Sequence, residues 1–181
     1  HTLGIISGIT GASYSRDGYF RSLVDSLLSV ISEYDQNGLI FASHIFHADP
    51  NQSIRIYCDG RCDGLLVLAP DLGSVLVNSL RERGFALALI GTMSYDDSLA
   101  YCDIDNMHAM SIAVRELLEL GHKRIALCQG PAGLQPAELR RSGYIQALSA
   151  ANIAMDDRLF SPMLGDPVPI ANWVRQVMHR L

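Results

Sequence analysis

The feature of this chain that most constrains its fold is a regular alternation of short apolar runs with longer amphipathic stretches. The runs are continuous rather than interleaved with polar residues, as expected for parallel strands that are covered on both faces. The predicted strands are Leu3–Ser7, Leu39–Ser43, Gly64–Ala69, Ala86–Ile90, Ala100–Ile104 and Arg124–Cys128. The predicted helices are Gly18–Tyr34, Gln52–Cys58, Gly73–Arg83, Asn106–Leu120, Gln135–Ala151 and Ile170–Leu181. This order predicts an α/β fold with doubly wound parallel sheets and right-handed crossovers.

Residues at the ends of two helices support these boundaries. Asp105 precedes Asn106–Leu120 and is a candidate N-cap, because its carboxylate can accept hydrogen bonds from the free N–H groups of the first turn. Gly121 follows that helix, and Gly84 follows Gly73–Arg83. Glycine at this position adopts the left-handed conformation that ends many helices.

Composition excludes several classes of protein. Hydrophobic residues make up 49% of the 181 residues, which is enough for a sizeable core. The apolar runs are much shorter than the roughly 18 residues of a membrane span, so no membrane contact is expected. The 14 basic and 19 acidic residues give a net charge of −5, whereas nucleic-acid binding requires a basic face. We therefore expect any DNA contact to be made by residues outside this sequence.

The four cysteines indicate a reducing compartment. Their irregular spacing does not suggest a disulfide framework, so a cytoplasmic location is predicted. Cys128 lies in an apolar run and is predicted to be a small buried side chain. Cys58 and Cys62, with His44 and His47, match no standard spacing of a structural zinc site, so no metal is predicted.

Doubly wound sheets bind ligands outside the carboxyl ends of their strands. The long loop after the first strand leads to Tyr19 and Phe20, whose rings could stack on a ligand, although Phe20 could equally be the first core residue of its helix. His108, near a helix start, and Arg140, in the first turns of another helix, could also contact a ligand. For both, a solvated surface position is the alternative, and for Arg140 the spacing alone favours it.

Catalytic and cofactor motifs are lacking. Gly8 and Gly11 form only G-x-x-G after the first strand, not the dinucleotide fingerprint, and there is no phosphate-binding Walker motif. Neither a G-x-S-x-G nor an H-E-x-x-H pattern occurs. The sequence therefore predicts a protein without a cofactor and without catalytic activity.

Several short segments together resemble the lactose/galactose repressor family of bacterial transcription regulators. They are, in order, LGIIS, CDGLLVLAP, ALALIG, DIDN, ELGHKRIAL, QGP and AELRRSGYIQAL. The resemblance covers essentially the whole chain and implies a two-lobed fold like that of periplasmic sugar-binding proteins. It implies an N-terminal lobe over residues 1–120 and a partial C-terminal lobe over residues 121–181, because a further strand is expected after the last helix. It also implies a basic DNA-binding headpiece outside this chain, in keeping with the acidic balance.

The resemblance further implies which residues bind the effector. Arg140, three residues before Gly143, matches the arginine that clamps the effector in the family. Tyr19, Phe20, His108 and Pro136 match other effector contacts, although a proline offers no side-chain donor. Pro167, near the position of a stacking aromatic in relatives, and a longer loop before Tyr19 depart from the family pattern and leave the effector open.

The predicted function is the ligand-binding and dimerisation domain of a transcription regulator. It would sense a small metabolite, a sugar or sugar derivative, bound between the lobes, and would act on operator DNA as a homodimer through the headpiece. The helices Gly18–Tyr34 and Gly73–Arg83 are the candidate dimer faces, with Val75, Leu76 and Leu80 either in that interface or covering the sheet. The alternative is a solute-binding protein of a sugar transport system on the same fold. An enzyme is the third possibility, which lacks support from any motif.

Overall fold

The computed structural model describes residues 1–7, 18–41, 50–94, 96–163 and 167–178. They divide into two compact units, His1–Asp103 (unit 1) and Ile104–Leu181 (unit 2). Each unit has its own hydrophobic core.

Unit 1 contains a parallel five-stranded sheet and three helices among its described residues. In chain order these elements are β1 (Thr2–Ser7), α1 (Gly18–Glu33), β2 (Asn37–Phe41), α2 (Pro50–Tyr57), β3 (Gly64–Leu68), α3 (Val75–Glu82), β4 (Leu87–Ile90) and β5 (Ala100–Cys102). The strand order is β2-β1-β3-β4-β5, and every pairing is parallel. The predicted doubly wound α/β architecture is confirmed, and the order of strands reverses between β1 and β3.

The continuous apolar runs arise because both faces of the sheet are covered. On one face, Ile6 and Val67 pack in a cluster with Leu80 of α3. On the other face, Ile5 and Leu68 pack in a second cluster with helix α1. Consecutive residues of one strand therefore enter different cores, and neither face tolerates a polar side chain.

Helix α3 settles an alternative that the sequence left open. Leu76 and Leu80 are buried in the cluster that covers the sheet, whereas Val75 is exposed. The helix ends as predicted at Gly84, whose φ of 68° is left-handed. Its N–H donates to the Arg81 carbonyl, and the next N–H, of Phe85, donates to the Leu80 carbonyl. These bonds satisfy carbonyl groups that the helix end would otherwise leave unpaired.

Unit 2 is built around two packed helices, α4 (Asn106–Glu119) and α5 (Gln135–Ala150). Asp105 caps α4 as predicted, and Gly121, with φ of 90°, ends it as predicted. The helices approach closely at Gly143, where a methyl group would overlap the backbone carbonyl of Met107. Glycine is required there because the neighbouring atoms belong to the main chain and cannot turn aside.

The boundary between the units lies at Asp103, whereas the predicted boundary between lobes lay at Leu120. The difference is the position of α4, which was assigned to the first lobe. Its Val114 packs in a core with Tyr144 and Leu148 of α5, so the helix belongs structurally to unit 2. Sequence order alone does not indicate which core a connecting helix joins.

The predicted strand Arg124–Cys128 is wrong in extent. Among the described residues, only a single parallel bridge forms there, between Leu127 and Phe160. Ile125 and Leu127 are buried, but Cys128 is exposed, so the prediction of a buried thiol is also wrong. The segment alternates between inward and outward side chains, which an uninterrupted run of apolar letters conceals.

The last helix, α6, spans Pro167–Met178, so it begins three residues before the predicted start at Ile170, and the predicted end at Leu181 lies outside the described residues. Proline is well suited to a first turn, because the N–H it lacks has no partner within the helix. A short 3₁₀ turn, Asp157–Leu159, precedes the bridge residue Phe160. No helix in the described part of the chain has the length and apolar character needed to cross a membrane.

Candidate functional site

The carboxyl edge of the sheet in unit 1 contains the topological switch point, where ligands bind in folds of this kind. The paired residues Ser7 and Leu68 end β1 and β3 there. The predicted ligand loop after β1, residues 8–17, lies outside the described residues. Thr92, just after β4, is 93% buried, and its hydroxyl has no hydrogen-bond partner among the described residues. This edge of the sheet therefore contains a buried hydroxyl, that of Thr92, whose hydrogen-bonding capacity the described residues do not satisfy.

Tyr19 and Phe20, both predicted ligand contacts, have different surroundings. Tyr19 is 65% exposed, and Phe20 is only 7% exposed and packs with Ile5 and Val24. Their rings meet edge to face, with centroids 5.5 Å apart. Phe20 thus fills the core position that the sequence left as its alternative. A ligand contact remains a prediction for both residues.

In unit 2, His108 lies on the exposed first turn of α4. Its backbone N–H donates to the Asp105 carboxylate over 2.8 Å, and the residue is exposed. The carbonyl of the preceding residue, Met107, is the one that contacts Gly143 of α5. His108 and Arg140 therefore lie on two helices in direct contact, with Arg140 one turn before the contact point.

Arg140 is exposed, and its side chain is tethered to its own helix. Its Nε donates to the carbonyl of Pro136 over 3.1 Å. Its Nη2 lies 3.6 Å from the position that a Cβ at Gly130 would occupy. Its guanidinium makes no other hydrogen bond or ion pair with the described residues. A guanidinium group that is held by one hydrogen bond and has further N–H donors is suited to binding the oxygen atoms of a ligand.

Of the two adjacent arginines, Arg140 and Arg141, the second is turned toward the interior of unit 2. Its guanidinium carbon lies 5.3 Å from the centre of the Phe160 ring, over its face, and the residue is half-buried. The Phe160 ring in turn meets Tyr144 edge to face. Arg141 is therefore part of the packing between α5 and the bridge segment, while Arg140 is exposed.

Gln129 and Ser161 follow the two residues of the isolated bridge. The Gln129 backbone N–H donates to Ser161 Oγ over 2.8 Å, and its side-chain Nε2 donates to the Ser161 carbonyl over 2.6 Å. The Gln129 Oε1 is buried without a hydrogen-bond partner among the described residues. It is the second such side-chain atom in the described residues, after the Thr92 hydroxyl.

A pocket of about 520 Å³ adjoins Gln129 within unit 2. Its lining combines carboxyl, guanidinium, hydroxyl and aromatic groups. The lining residues are Gln129, Glu138, Arg141, Asp157, Phe160, Ser161, Pro162, Met163 and Trp173. The sequence does not indicate Trp173 as a pocket residue, because nothing in the pattern of the last helix shows which core or pocket it faces.

Two titrating groups near this region have perturbed pKa values. Hydrogen bonds from the Arg158 side chain and backbone lower the pKa of Asp156 to about 2. Burial raises the pKa of Tyr144, whose hydroxyl donates to the Ile125 carbonyl over 2.7 Å. Both groups stabilise the local fold, because each bond is made within unit 2 and is not directed to a ligand.

Metal binding receives no support from the described residues. No group of three or more His, Cys, Asp or Glu side chains with metal-binding geometry occurs among them. Cys58 and Cys62 are described, whereas His44 and His47 lie outside the described residues.

Comparison with known proteins connects this geometry to one family. Residues 10–161 match the family model for periplasmic binding proteins and the sugar-binding domain of the LacI family. The regulator CelR of Thermobifida fusca is 34% identical over 101 residues, 55% of this chain and 30% of that protein. The match thus spans about a third of the length of this relative.

Solved structures agree with the family match. A LacI-type transcriptional regulator from Bacillus cereus subsp. cytotoxis is 21% identical, with a TM-score of 0.87 over 98% of this chain and 64% of that one. The complex of the transcriptional regulator CelR with cellobiose is 26% identical, with a TM-score of 0.76 over 88% of this chain and 49% of that one. The first likeness concerns the fold alone, and the second adds a relative solved with a sugar.

Proposed function

Since the chain belongs to the family of periplasmic binding proteins and sugar-binding domains of LacI-type regulators, we propose that it is the effector-binding core of a transcription regulator. Its effector would be a small metabolite, a sugar or sugar derivative. Tyr19, Phe20, His108, Pro136 and Arg140 are the proposed contacts.

The observation that carries this proposal is the hydrogen bonding of the Arg140 side chain. Its tether to the Pro136 carbonyl fixes the guanidinium on the α5 surface, and its remaining donors are unused among the described residues. A planar fork held in one orientation loses less conformational freedom when it binds two neighbouring hydroxyl oxygens of a sugar. The solved complex of CelR with cellobiose supports the same chemical class of ligand.

Regulation would follow from differential binding. An effector that binds one arrangement of the protein more tightly than another shifts the population toward the first. In a homodimer on operator DNA, effector affinity and DNA affinity would then be linked reciprocally. The net charge of −5 supports the view that the DNA contacts lie outside these 181 residues.

A solute-binding protein of a sugar transport system is the second candidate, because the matched family includes periplasmic binding proteins. The relatives named above are transcriptional regulators, which favours the first candidate. The protein encoded by the complete gene distinguishes the two in a DNA-binding assay. Sequence-preferring DNA binding that responds to a sugar supports a regulator, and its absence with and without sugars contradicts one.

The site is tested by calorimetry with a panel of glucose, galactose, maltose and cellobiose. We expect at least one of these sugars to bind and Arg140→Ala to weaken its binding by about 10- to 100-fold, because hydrogen bonds from a charged group are lost. Arg115→Ala is a matched control. Arg115 is also exposed, and its Nε donates to the carbonyl four residues earlier, at Ser111, over 3.3 Å. If Arg140→Ala and Arg115→Ala bind the sugar with equal affinity, Arg140 does not contact it.

A further inference from the structure

We infer that Gly130 is a positioning residue for Arg140, because the absence of a side chain at Gly130 leaves the space beside which the guanidinium lies. This inference rests on the proposed function, in which Arg140 contacts the effector. It adds a second residue, on a neighbouring loop, that sets the orientation of the Arg140 side chain without contacting the ligand itself.

The loop that contains Gly130 is held in place on both sides of this residue. The Gln129 backbone N–H donates to Ser161 Oγ, and Gln129 Nε2 donates to the Ser161 carbonyl. Two residues after Gly130, the Ala132 N–H donates to the Met163 carbonyl over 3.3 Å. The loop therefore cannot move away from a bulkier side chain at position 130 without disturbing these hydrogen bonds.

The main chain of Gly130 packs directly against the first turns of α5. A Cβ at Gly130 would lie 3.0 Å from the Cβ of Ala137 and 3.6 Å from Nη2 of Arg140. Ala137 is only 4% exposed, so its methyl group can yield only if the helix itself moves. The Arg140 guanidinium thus lies beside a bare α-carbon, in a place where the neighbouring helix has little room to give.

Glycine is required at position 130 for space and not for backbone conformation. Gly133, three residues later, has a φ of 84°, whereas Gly130 is not among the glycines with positive φ. A Cβ at Gly133 would meet no atom of the described residues within 4 Å. Gly133 therefore permits a left-handed turn, and Gly130 leaves room for Ala137 and Arg140.

The hydrogen bond within α5 makes this space important for ligand binding. Arg140 Nε donates to the Pro136 carbonyl, so the guanidinium is held at one point on its own helix. With Nε engaged, the two Nη groups remain to bind two adjacent oxygen atoms of a ligand. The direction in which these two groups point depends on what lies beside Nη2, and that neighbour is Gly130.

A branched side chain at position 130 should displace Arg140 rather than Ala137. Valine adds two methyl groups beyond Cβ, and its branching restricts how far the side chain can turn aside. Ala137 is buried in the helix, whereas Arg140 is exposed and can swing into solvent. We therefore expect Gly130→Val to turn the guanidinium away from its position at the Pro136 carbonyl.

Calorimetry with the same four sugars tests the effect on binding. We expect Gly130→Val to weaken binding by about 10- to 100-fold, as expected for Arg140→Ala, because the same hydrogen bonds to the ligand are lost. Gly130→Ala should weaken it less, by about two- to fivefold, since the Cβ alone only presses on Ala137. Gly64→Ala is the matched control, because its added methyl group meets only ordinary contacts in unit 1, and it should leave affinity unchanged.

A double-mutant comparison separates positioning from a general disturbance of unit 2. In an Arg140→Ala background, Gly130→Val should cause no further loss of affinity, because the side chain that it displaces is absent. An equal loss in both backgrounds overturns the inference and retains the proposed function. If Gly130→Val lacks a cooperative thermal transition by circular dichroism, Gly130→Ala is compared in the two backgrounds instead, with the same expected outcome.

Nuclear magnetic resonance reports on the guanidinium without any ligand. The Arg140 Nε–H resonance is assigned by its loss in Arg140→Ala, and its chemical shift depends on the hydrogen bond to the Pro136 carbonyl. We expect this shift to change in Gly130→Val and to stay the same in Gly64→Ala. Absence of binding by all four sugars contradicts the proposed function, whereas an unchanged Nε–H shift in Gly130→Val overturns the positioning role of Gly130.

Discussion

Unit 1 and unit 2 hold similar kinds of elements together by different means. In unit 1, five parallel strands form a continuous ladder, and apolar helices cover both of its faces. In unit 2, the described residues contain a single parallel bridge, and the core is formed mainly by α4 against α5. Unit 1 is therefore held together mainly by a ladder of strands, whereas unit 2 is held together mainly by the packing of two helices.

The difference also appears at the glycines where an added Cβ would come closer than 3 Å to another atom: in unit 1, at Gly4 and Gly38, those atoms belong to side chains, whereas at Gly143 in unit 2 the atom belongs to the main chain. A Cβ at Gly64, in the central strand β3, would lie 3.4 Å from the Ala86 carbonyl oxygen, which is an ordinary contact. A Cβ at Gly143 would overlap the Met107 carbonyl oxygen and crowd two further backbone atoms. The helix pair of unit 2 thus has one point of contact that no other residue can occupy.

The largest effect is expected at that point. Gly143→Ala should lower the free energy of unfolding by about 3 kcal/mol, because α4 and α5 must move apart and their shared core loosens. Gly64→Ala should cost less than about 1 kcal/mol, since the added methyl group meets only ordinary contacts. Urea titrations followed by circular dichroism measure both. Similar losses for the two variants would show that the units do not differ in this way.

A smaller effect is expected from the buried hydroxyl of Tyr144. Tyr144→Phe should lower the free energy of unfolding by about 1.5 kcal/mol, because the Ile125 carbonyl loses its donor while the ring remains in the core. Tyr34→Phe, at an exposed position of unit 1, should change it by less than about 0.5 kcal/mol.

The Tyr144 effect should also depend on pH. Because burial raises the pKa of Tyr144 above its ordinary value, the contribution is complete below that value, near 10, and is lost as the pH rises through the folded-state pKa. Thermal unfolding of wild type and Tyr144→Phe between pH 7 and pH 11 measures the trend. A difference that persists unchanged at the highest pH would contradict the role of the protonated hydroxyl.

The smallest effect is expected where the two units use the same local motif. Asp156 in unit 2 and Asp59 in unit 1 each accept hydrogen bonds from the backbone and side chain of an arginine two residues later. For Asp156, these bonds lower the pKa to about 2. For Asp59, burial acts to raise the pKa, but the bonds and charge of Arg61 outweigh it and lower the pKa.

Because both folded-state pKa values lie below the ordinary value, each contribution is present above about pH 4 and is lost as the pH falls through the folded-state value. We therefore expect Asp156→Asn and Asp59→Asn to lower the melting temperature slightly at pH 6. The difference for Asp156→Asn should persist to lower pH, until about pH 2. Melting temperatures at pH 6, 4 and 2 test this. A melting-temperature difference between wild type and variant that grows as the pH falls would contradict this prediction.

The fold was predictable where local sequence patterns and tertiary packing agree. The strands of unit 1 follow from their apolar runs, and the helix ends at Gly84 and Gly121 follow from the left-handed backbone that glycine permits. Predictions failed where the pattern was locally ambiguous. The run Arg124–Cys128 resembles a fully buried strand, yet Cys128 is exposed, and within the described part of the chain only Leu127 of this run forms a bridge.

The candidate site was predictable to a smaller extent. The family resemblance identified Arg140, and the structure adds its tether to the Pro136 carbonyl. Gln129 Oε1 and the Thr92 hydroxyl were not identified individually, because being without a partner depends on every atom around a group. Trp173 was missed for the same reason, since its place in the pocket depends on how α6 packs.

The sequence by itself determined the fold class, the helix caps and the family, because these depend on local periodicity, backbone preferences and short ordered motifs. Only the tertiary structure decided that α4 joins the second core, that Gly143 must remain a glycine, and which polar atoms are buried without partners. The physical reason is that these properties arise from contacts between residues distant in sequence, which no local pattern encodes.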